Sequence, residues 1–233
     1  MLQEMWIDDP CVAERVLDVL QSTQGVALIE LPTVFALFAL PTRRGARALD
    51  QAKQRLPGKN YGSVVGDIQR FAELAVSGSL PTAVADPAEW RFLEGNFIRL
   101  QIGPATLETP AVRGGTHQSL LLPAGPHRRL FSAIEAEHLG RRHELFGDLQ
   151  VDAPLCTSAN LSGHPDGSIT RLDKARDFAQ LLGLDLLVRQ PAHDGERGSF
   201  TIVSLHGAKA HIERRGPGVD TLERALAQRG LLP

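Results

Sequence analysis

Short apolar runs alternate with amphipathic helical segments along the whole chain, and this alternation limits the fold to an α/β domain built on a mixed sheet. The spacing predicts a helix from Asp9-Pro10 to Gln21, with Pro10 suited to a first turn and Val12, Val16, Val19 and Leu20 on one stripe. Gly25 introduces a strand over Val26–Leu31. A second helix is expected from Arg44 to Arg55, ended by Leu56-Pro57-Gly58, followed by a short strand over Ser63–Val65. Asp67 is placed to cap a third helix that reaches Val76 and stops before Gly78. Strands are expected at Phe97–Ile102, Leu120–Leu122, Leu184–Val188, Phe200–Leu205 and Ala210–Arg214, and helices at Pro126–Leu139, Leu172–Leu182 and Val219–Arg229. Two stretches lack periodicity, Gly103–Gln118 and Pro191–Gly198, and read as loops able to lie over a site. Nothing repeats internally. The 233 residues are therefore expected to form a single domain, residues 1–233, with short extensions at 1–8 and 219–233.

Charge narrows the partners. Lys and Arg number 25 against 27 Asp and Glu, a balance that disfavours a generic basic arm for nucleic acid. The basic residues nevertheless gather in Arg43–Lys59, Arg113–Arg142 and Arg214-Arg215, which allows one basic face. Cys11 and Cys156 sit beside apolar residues and read as buried thiols of a reducing compartment. With neither a membrane-length apolar stretch nor a basic-then-apolar leader, a cytoplasmic protein without membrane contact is expected. The eight His and two Cys show no metal-ligand spacing, so a structural zinc is not expected.

One segment points to a chemistry. In Thr157-Ser158-Ala159-Asn160-Leu161-Ser162-Gly163, side chains two apart on an extended chain share a side, so Ser158, Asn160 and Ser162 can present a polar row to a polyanion or nucleotide. The same residues suit a strand running into a helix cap, and both readings stay open at this point. Ser158 lacks a Gly-x-Ser-x-Gly elbow, which argues against a hydrolase. Lys53, Arg55 and Lys59 flank the Leu56-Pro57-Gly58 break, where they can hold phosphates or simply solvate a helix end. Tyr61 and Trp90 offer stacking surfaces for a base, but isolated aromatics of this kind read more readily as core.

Lys53 and Arg55, Lys59, the 157–163 run and the closing Arg214-Arg215-Gly216-Pro217-Gly218 together resemble the YrdC/YciO-like domain family in order and spacing, over about Val12 to Gly218. The Gln54–Asn60 join and Gly95-Asn96-Phe97 look closer to the YciO branch. The resemblance implies a twisted mixed sheet, flanked by helices, around a large, positively lined concave cavity. The catalytic members are threonylcarbamoyl-AMP synthases, nucleotidyltransferases that condense ATP, bicarbonate and L-threonine and release pyrophosphate for modification of an adenosine in tRNA. Carried over residue by residue, it implies nucleotide and phosphate contacts from Lys53, Arg55, Lys59, Ser158, Asn160, Thr201 and Arg214. Magnesium is expected to arrive bridging phosphate oxygens, with no protein-ligated metal and no tightly bound cofactor.

The departures concern the amino-acid side. Where the family has Pro-Thr-Asp-Thr-x-Tyr-Gly, this chain has Leu31 to Phe38, so Thr33, Val34, Phe35 and Leu37 stand for the amino-acid pocket. A strand Arg of the family aligns with Leu121, a Thr with Ile98, and the residue before Thr201 has become Phe200. An apolar wall leaves a threonine hydroxyl unpaired at about 1–3 kcal/mol. The resemblance thus implies a nucleotide-binding member with altered amino-acid specificity, or else a non-catalytic YciO-like protein that binds tRNA or double-stranded RNA. It assigns no catalytic residue.

Overall fold

The computed structural model describes residues 2–54, 60–140, 144–147, 149–161, 167–191 and 195–232. Its strands are β1 (Gln3–Trp6), β2 (Ala27–Glu30), β3 (Phe35–Ala39), β4 (Gly62–Val65), β5 (Asn96–Gln101), β6 (Thr116–Leu121), β7 (Leu155–Ser158), β8 (Leu186–Arg189), β9 (Ile202–Ser204) and β10 (His211–Arg214). Among the described residues they form one ten-stranded sheet in the order β1-β8-β2-β3-β7-β4-β6-β5-β9-β10. Pairing is mixed: β3 is antiparallel to both β2 and β7, whereas β4 runs parallel to β6 and β5 parallel to β9. The helices are α1 (Val12–Gln21), α2 (Arg43–Lys53), α3 (Ile68–Glu73), α4 (Pro126–His138), α5 (Leu172–Leu181) and α6 (Val219–Gln228).

Three strands depart from the sequence expectation, β1, β3 and β6. β3, Phe-Ala-Leu-Phe-Ala, is buried on both faces, so it shows none of the polar alternation that marks a half-exposed strand. β1 pairs with β8 at one edge of the sheet, so Gln3–Trp6 of the expected N-terminal extension belong to the sheet. The C-terminal segment is likewise integral, because Leu222, Leu226 and Leu231 enter the core. β6 begins at Thr116, well before its apolar run, because His117 and Ser119 are fully buried and hydrogen-bonded inside the layer. α3 stops at Glu73, and 3-10 turns over Thr82–Val84 and Pro87–Leu93 bury Trp90 beneath the sheet. Tyr61 and Trp90 are both core side chains. Cys156 is buried as expected, but Cys11 is exposed at the start of α1. No described helix is long and apolar enough to cross a membrane.

The two faces of the sheet are covered unequally. α2, α3, α5 and α6 pack on one, around Leu37, Leu49, Trp90, Leu121 and Phe178. The other is covered by α1 and α4, whose Val16, Leu130, Phe131 and Ile134 meet Phe38, Val64, Leu120 and Leu122. Phe38 and Phe131 stack with ring centroids 5.1 Å apart. Ala36, Gly62, Gln118 and Ser158, on these same central strands but nearer their other ends, line a cavity instead. The concavity exists because two helices cover only part of that face.

Candidate functional site

The cavity holds about 420 Å³ and is lined by Leu31, Val34, Ala36, Lys53, Asn60, Gly62, Phe97, Arg113, Gln118, Ser158, Asn160, Phe200 and Arg214, among others. Gly62 forms part of its floor. A β-carbon there would lie 2.8 Å from the Phe97 ring, so a larger residue would displace Phe97, itself part of the lining.

Lys53 reaches the wall because α2 ends where it does. Thr42 caps the helix by accepting from Gly45 N–H at 3.0 Å, and Gln54, with φ of 47°, turns the chain out of the helix after Lys53. The Lys53 ammonium is buried and donates to Thr157 Oγ1 at 3.0 Å, Ser158 O at 2.7 Å and Asn160 Oδ1 at 2.8 Å. Those three bonds account for the three N–H groups of an ammonium. Ser158 Oγ donates to the same Asn160 oxygen at 3.0 Å. The end of β7 is therefore a polar wall held rigid by one lysine. Within the described residues 157–161 the strand ends at Ser158, and Ser158 and Asn160 both line the cavity.

Across the sheet, Arg214 on β10 donates through Nε to Phe200 O at 2.9 Å. Its side chain is open to solvent on the cavity side, yet desolvation of the inner part, with repulsion from Arg99, lowers its pKa below the ordinary guanidinium value. Arg99 itself is engaged, pairing with Glu213 at 2.9 Å and donating to Gln118 Oε1 at 2.7 Å. Arg113, Asn60 and Gln118 also line the cavity, although no motif in the sequence marks them. Arg113 was hidden in a loop without periodicity, although the Gly114-Gly115 pair beside it marks a tight turn. Asn60 Nδ2 donates to Thr109 O at 2.6 Å and Val112 O at 3.0 Å, tying that loop to the cavity.

Among the residues singled out from sequence, the structure brings Lys53, Ser158, Asn160, Arg214 and Val34 together around the cavity. Arg55, Lys59, Ser162 and Gly163 lie outside the described residues. Thr201 does not line the cavity: it is fully buried, and its hydroxyl accepts from Gly216 N–H at 2.9 Å. It fixes the close turn at Gly216, where a β-carbon would meet Ser199 O at 2.2 Å. The expected amino-acid pocket needs correction as well. Val34 lines the cavity, but Phe35 and Leu37 point into the opposite core, because successive residues of a strand face opposite sides. Leu31 and Ala36 occupy the cavity wall in their stead, and Thr33 lies outside it with its Oγ1 buried and without a partner among the described residues. No metal-holding cluster of His, Cys, Asp or Glu occurs among the described residues.

A mixed sheet of this order, with a cation-lined cavity on its half-covered face, has the fold of a YrdC/YciO-like domain. The chain superposes on a double-alanine variant of P. abyssi Sua5 with a TM-score of 0.66 at 14% identity, covering 97% of this chain and 64% of Sua5. Against E. coli YciO the TM-score is 0.56 at 17% identity, covering 95% of this chain and 100% of YciO. Full-length HypF in a phosphate- and nucleotide-bound form gives 0.60 at 18% identity, over 89% of this chain and 29% of HypF. P. abyssi Sua5 has also been solved with L-threonine. The chain thus spans just under two thirds of Sua5 and less than a third of HypF. No family model and no curated protein matches its sequence.

Proposed function

We propose that the cavity binds the phosphates of ATP and that the chain activates an acceptor amino acid less polar than threonine as a carbamoyl-adenylate. The observation that carries this reading is the lining. It combines Lys53, Arg113 and Arg214 with an apolar wall of Leu31, Val34, Ala36, Phe97 and Phe200, and includes no carboxylate among its described residues. Guanidinium and ammonium groups suit phosphate, while such a wall suits an aliphatic side chain. The phosphate- and nucleotide-bound HypF and the L-threonine complex of Sua5 support the two halves of the assignment by likeness of fold.

In this reading the acceptor's amine and bicarbonate give a carbamate with loss of water. A carbamate oxygen then attacks the α-phosphorus of ATP, and the bond to pyrophosphate breaks with its electron pair leaving on pyrophosphate. The cations stabilise that leaving group, and the Ser158 and Asn160 row, fixed by Lys53, orients the α-phosphate. Magnesium would travel on the phosphate oxygens, since the described lining supplies it no carboxylate. The adenylate would serve tRNA modification or a related transfer.

Pyrophosphate release from ATP, assayed with bicarbonate and each amino acid in turn, tests the proposal. Aliphatic amino acids are expected to stimulate release more than threonine. Val34→Thr should shift preference towards threonine by roughly tenfold, the scale of one hydroxyl read or missed. If no amino acid stimulates release while ATP still binds, the enzyme reading fails. A second reading, RNA binding, is favoured by Arg43, Arg44 and Arg47, all exposed on the α2 helix that ends in Lys53. It predicts salt-sensitive binding of tRNA that Arg47→Glu weakens.

A further inference from the structure

We infer that Arg113 is a binding residue of this cavity that, with Arg214, grips the terminal phosphates of a nucleoside polyphosphate. The inference rests on the nucleotide reading above and adds which end of the nucleotide is recognised, and by what.

Among the described residues no group accepts a hydrogen bond from the Arg113 guanidinium, although the side chain lines the cavity. Its neighbours in the lining are committed: Lys53 to three acceptors of the β7 end, Arg214 through Nε to Phe200 O. The Arg113 backbone, by contrast, is held firmly. Arg113 N–H donates to Thr116 O and Thr116 N–H to Arg113 O, both at 2.9 Å, closing a two-residue turn over Gly114 and Gly115. Those glycines have φ of 55° and 70°, the left-handed values such a turn demands. At Gly115 a β-carbon would also meet Gly103 O and Pro104 O at 2.4 Å, so this corner accepts only glycine. Upstream, His117 Nδ1–H donates to Ala111 O at 2.8 Å and Asn60 holds Val112 O at 3.0 Å. A fixed backbone that presents an uncommitted guanidinium is preorganised for a ligand, because little ordering remains to oppose binding.

Charge identifies the ligand. Two acids lie near this end and both are engaged: Glu213 pairs with Arg99, and Glu108 accepts from the Gly114 N–H at 2.7 Å, while Arg99 also disfavours the charge on Arg214. Two guanidinium groups facing one cavity repel each other until an anion lies between them. A single phosphate already has the Ser158 and Asn160 wall to meet. A second, forked pair of donors has a purpose only for a ligand with further phosphates, so the site selects di- and triphosphates over monophosphates.

Calorimetric titration of the full chain with ATP, inorganic pyrophosphate and AMP tests this, on wild type, Arg113→Ala and Arg113→Lys. Arg113→Ala should weaken ATP and pyrophosphate about tenfold or more and AMP less than about twofold, since one forked charge-assisted contact is lost. Its melting temperature should match wild type, as the guanidinium supports no protein group among the described residues. Arg113→Lys should recover only part of the affinity. Equal losses for ATP and AMP, or no loss for either, overturn the inference while leaving nucleotide binding intact. Failure of wild type to bind any of the three overturns the nucleotide reading and this inference with it.

Discussion

Lys53→Met is expected to lower the free energy of unfolding by about 2 kcal/mol and to weaken ATP roughly tenfold or more, because one side chain both holds the wall and charges the cavity. Methionine keeps the length and apolar stem of lysine but cannot donate. Thr157 Oγ1, Ser158 O and Asn160 Oδ1 would all lose the ammonium, while the Ser158 hydroxyl stays on the Asn160 oxygen. The stability loss stays modest because water from the cavity can reach these acceptors, and because a buried charge is removed with its desolvation cost. The loss in binding should exceed the loss in stability, since Asn160 becomes free to turn away from the row. Denaturant unfolding and ATP titration of the same variant read the two effects separately. A variant as stable as wild type with full ATP affinity would remove Lys53 from the site.

His117→Ala is expected to destabilise the chain by about 3–4 kcal/mol, the largest effect of any single change considered. The imidazole is fully buried, edge-on to Phe71 and Phe146, with Nδ1–H donating to Ala111 O and Nε2 bonded to Ser63 Oγ at 2.9 Å. Ser119 completes the cluster with a very short bond to Ser63. Burial depresses the pKa of His117 from 6.5 to about 4. The unfolded chain therefore binds the extra proton between those values, so stability present above pH 6.5 is lost as pH falls to about 4, by about 3 kcal/mol. Glu135 acts in the opposite sense. Burial raises its carboxyl from 4.5 to about 7, against the pull of the N–H bonds from Gly66 and Asp67. Its contribution is full below pH 4.5 and is lost as pH rises through 7. Between pH 4.5 and 6.5 the two slopes oppose each other. Glu135→Gln should accordingly expose the His117 slope, giving a protein that loses stability on acidification more steeply than wild type. Unfolding curves at pH 7, 6 and 5 check this; a variant with a flatter profile than wild type would contradict it.

Much of the fold was legible because its helices carry clean apolar stripes and its turns carry glycine. α1 follows Val12, Val16, Val19 and Leu20 as predicted, and α2 runs from one side of Gly45 to Lys53. β3 was missed for a physical reason: a strand covered on both faces has no period to read. β6 was shortened because buried His117 and Ser119 look polar in sequence and satisfy one another only in three dimensions. The site was half legible. Lys53, Ser158, Asn160 and Arg214 are distant in sequence, yet their order and spacing matched a known pattern, and the sheet brings them to one cavity. Which residues of the 31–38 segment face that cavity depends on strand register, which no composition or spacing reveals. The register gives the wall to Leu31, Val34 and Ala36 and turns Phe35 and Leu37 away. Arg113 was out of reach because its place depends on a turn that folds a long loop back against Asn60.

On the function proposed above, the cationic cavity on the half-covered face of this sheet holds a nucleotide polyphosphate. Titration of the wild-type chain with ATP at low and at moderate salt tests it. Saturable binding at one site that weakens as salt rises is expected, because the attraction would rest on Lys53, Arg113 and Arg214. Absence of ATP binding at low salt, or binding indifferent to salt, would contradict it.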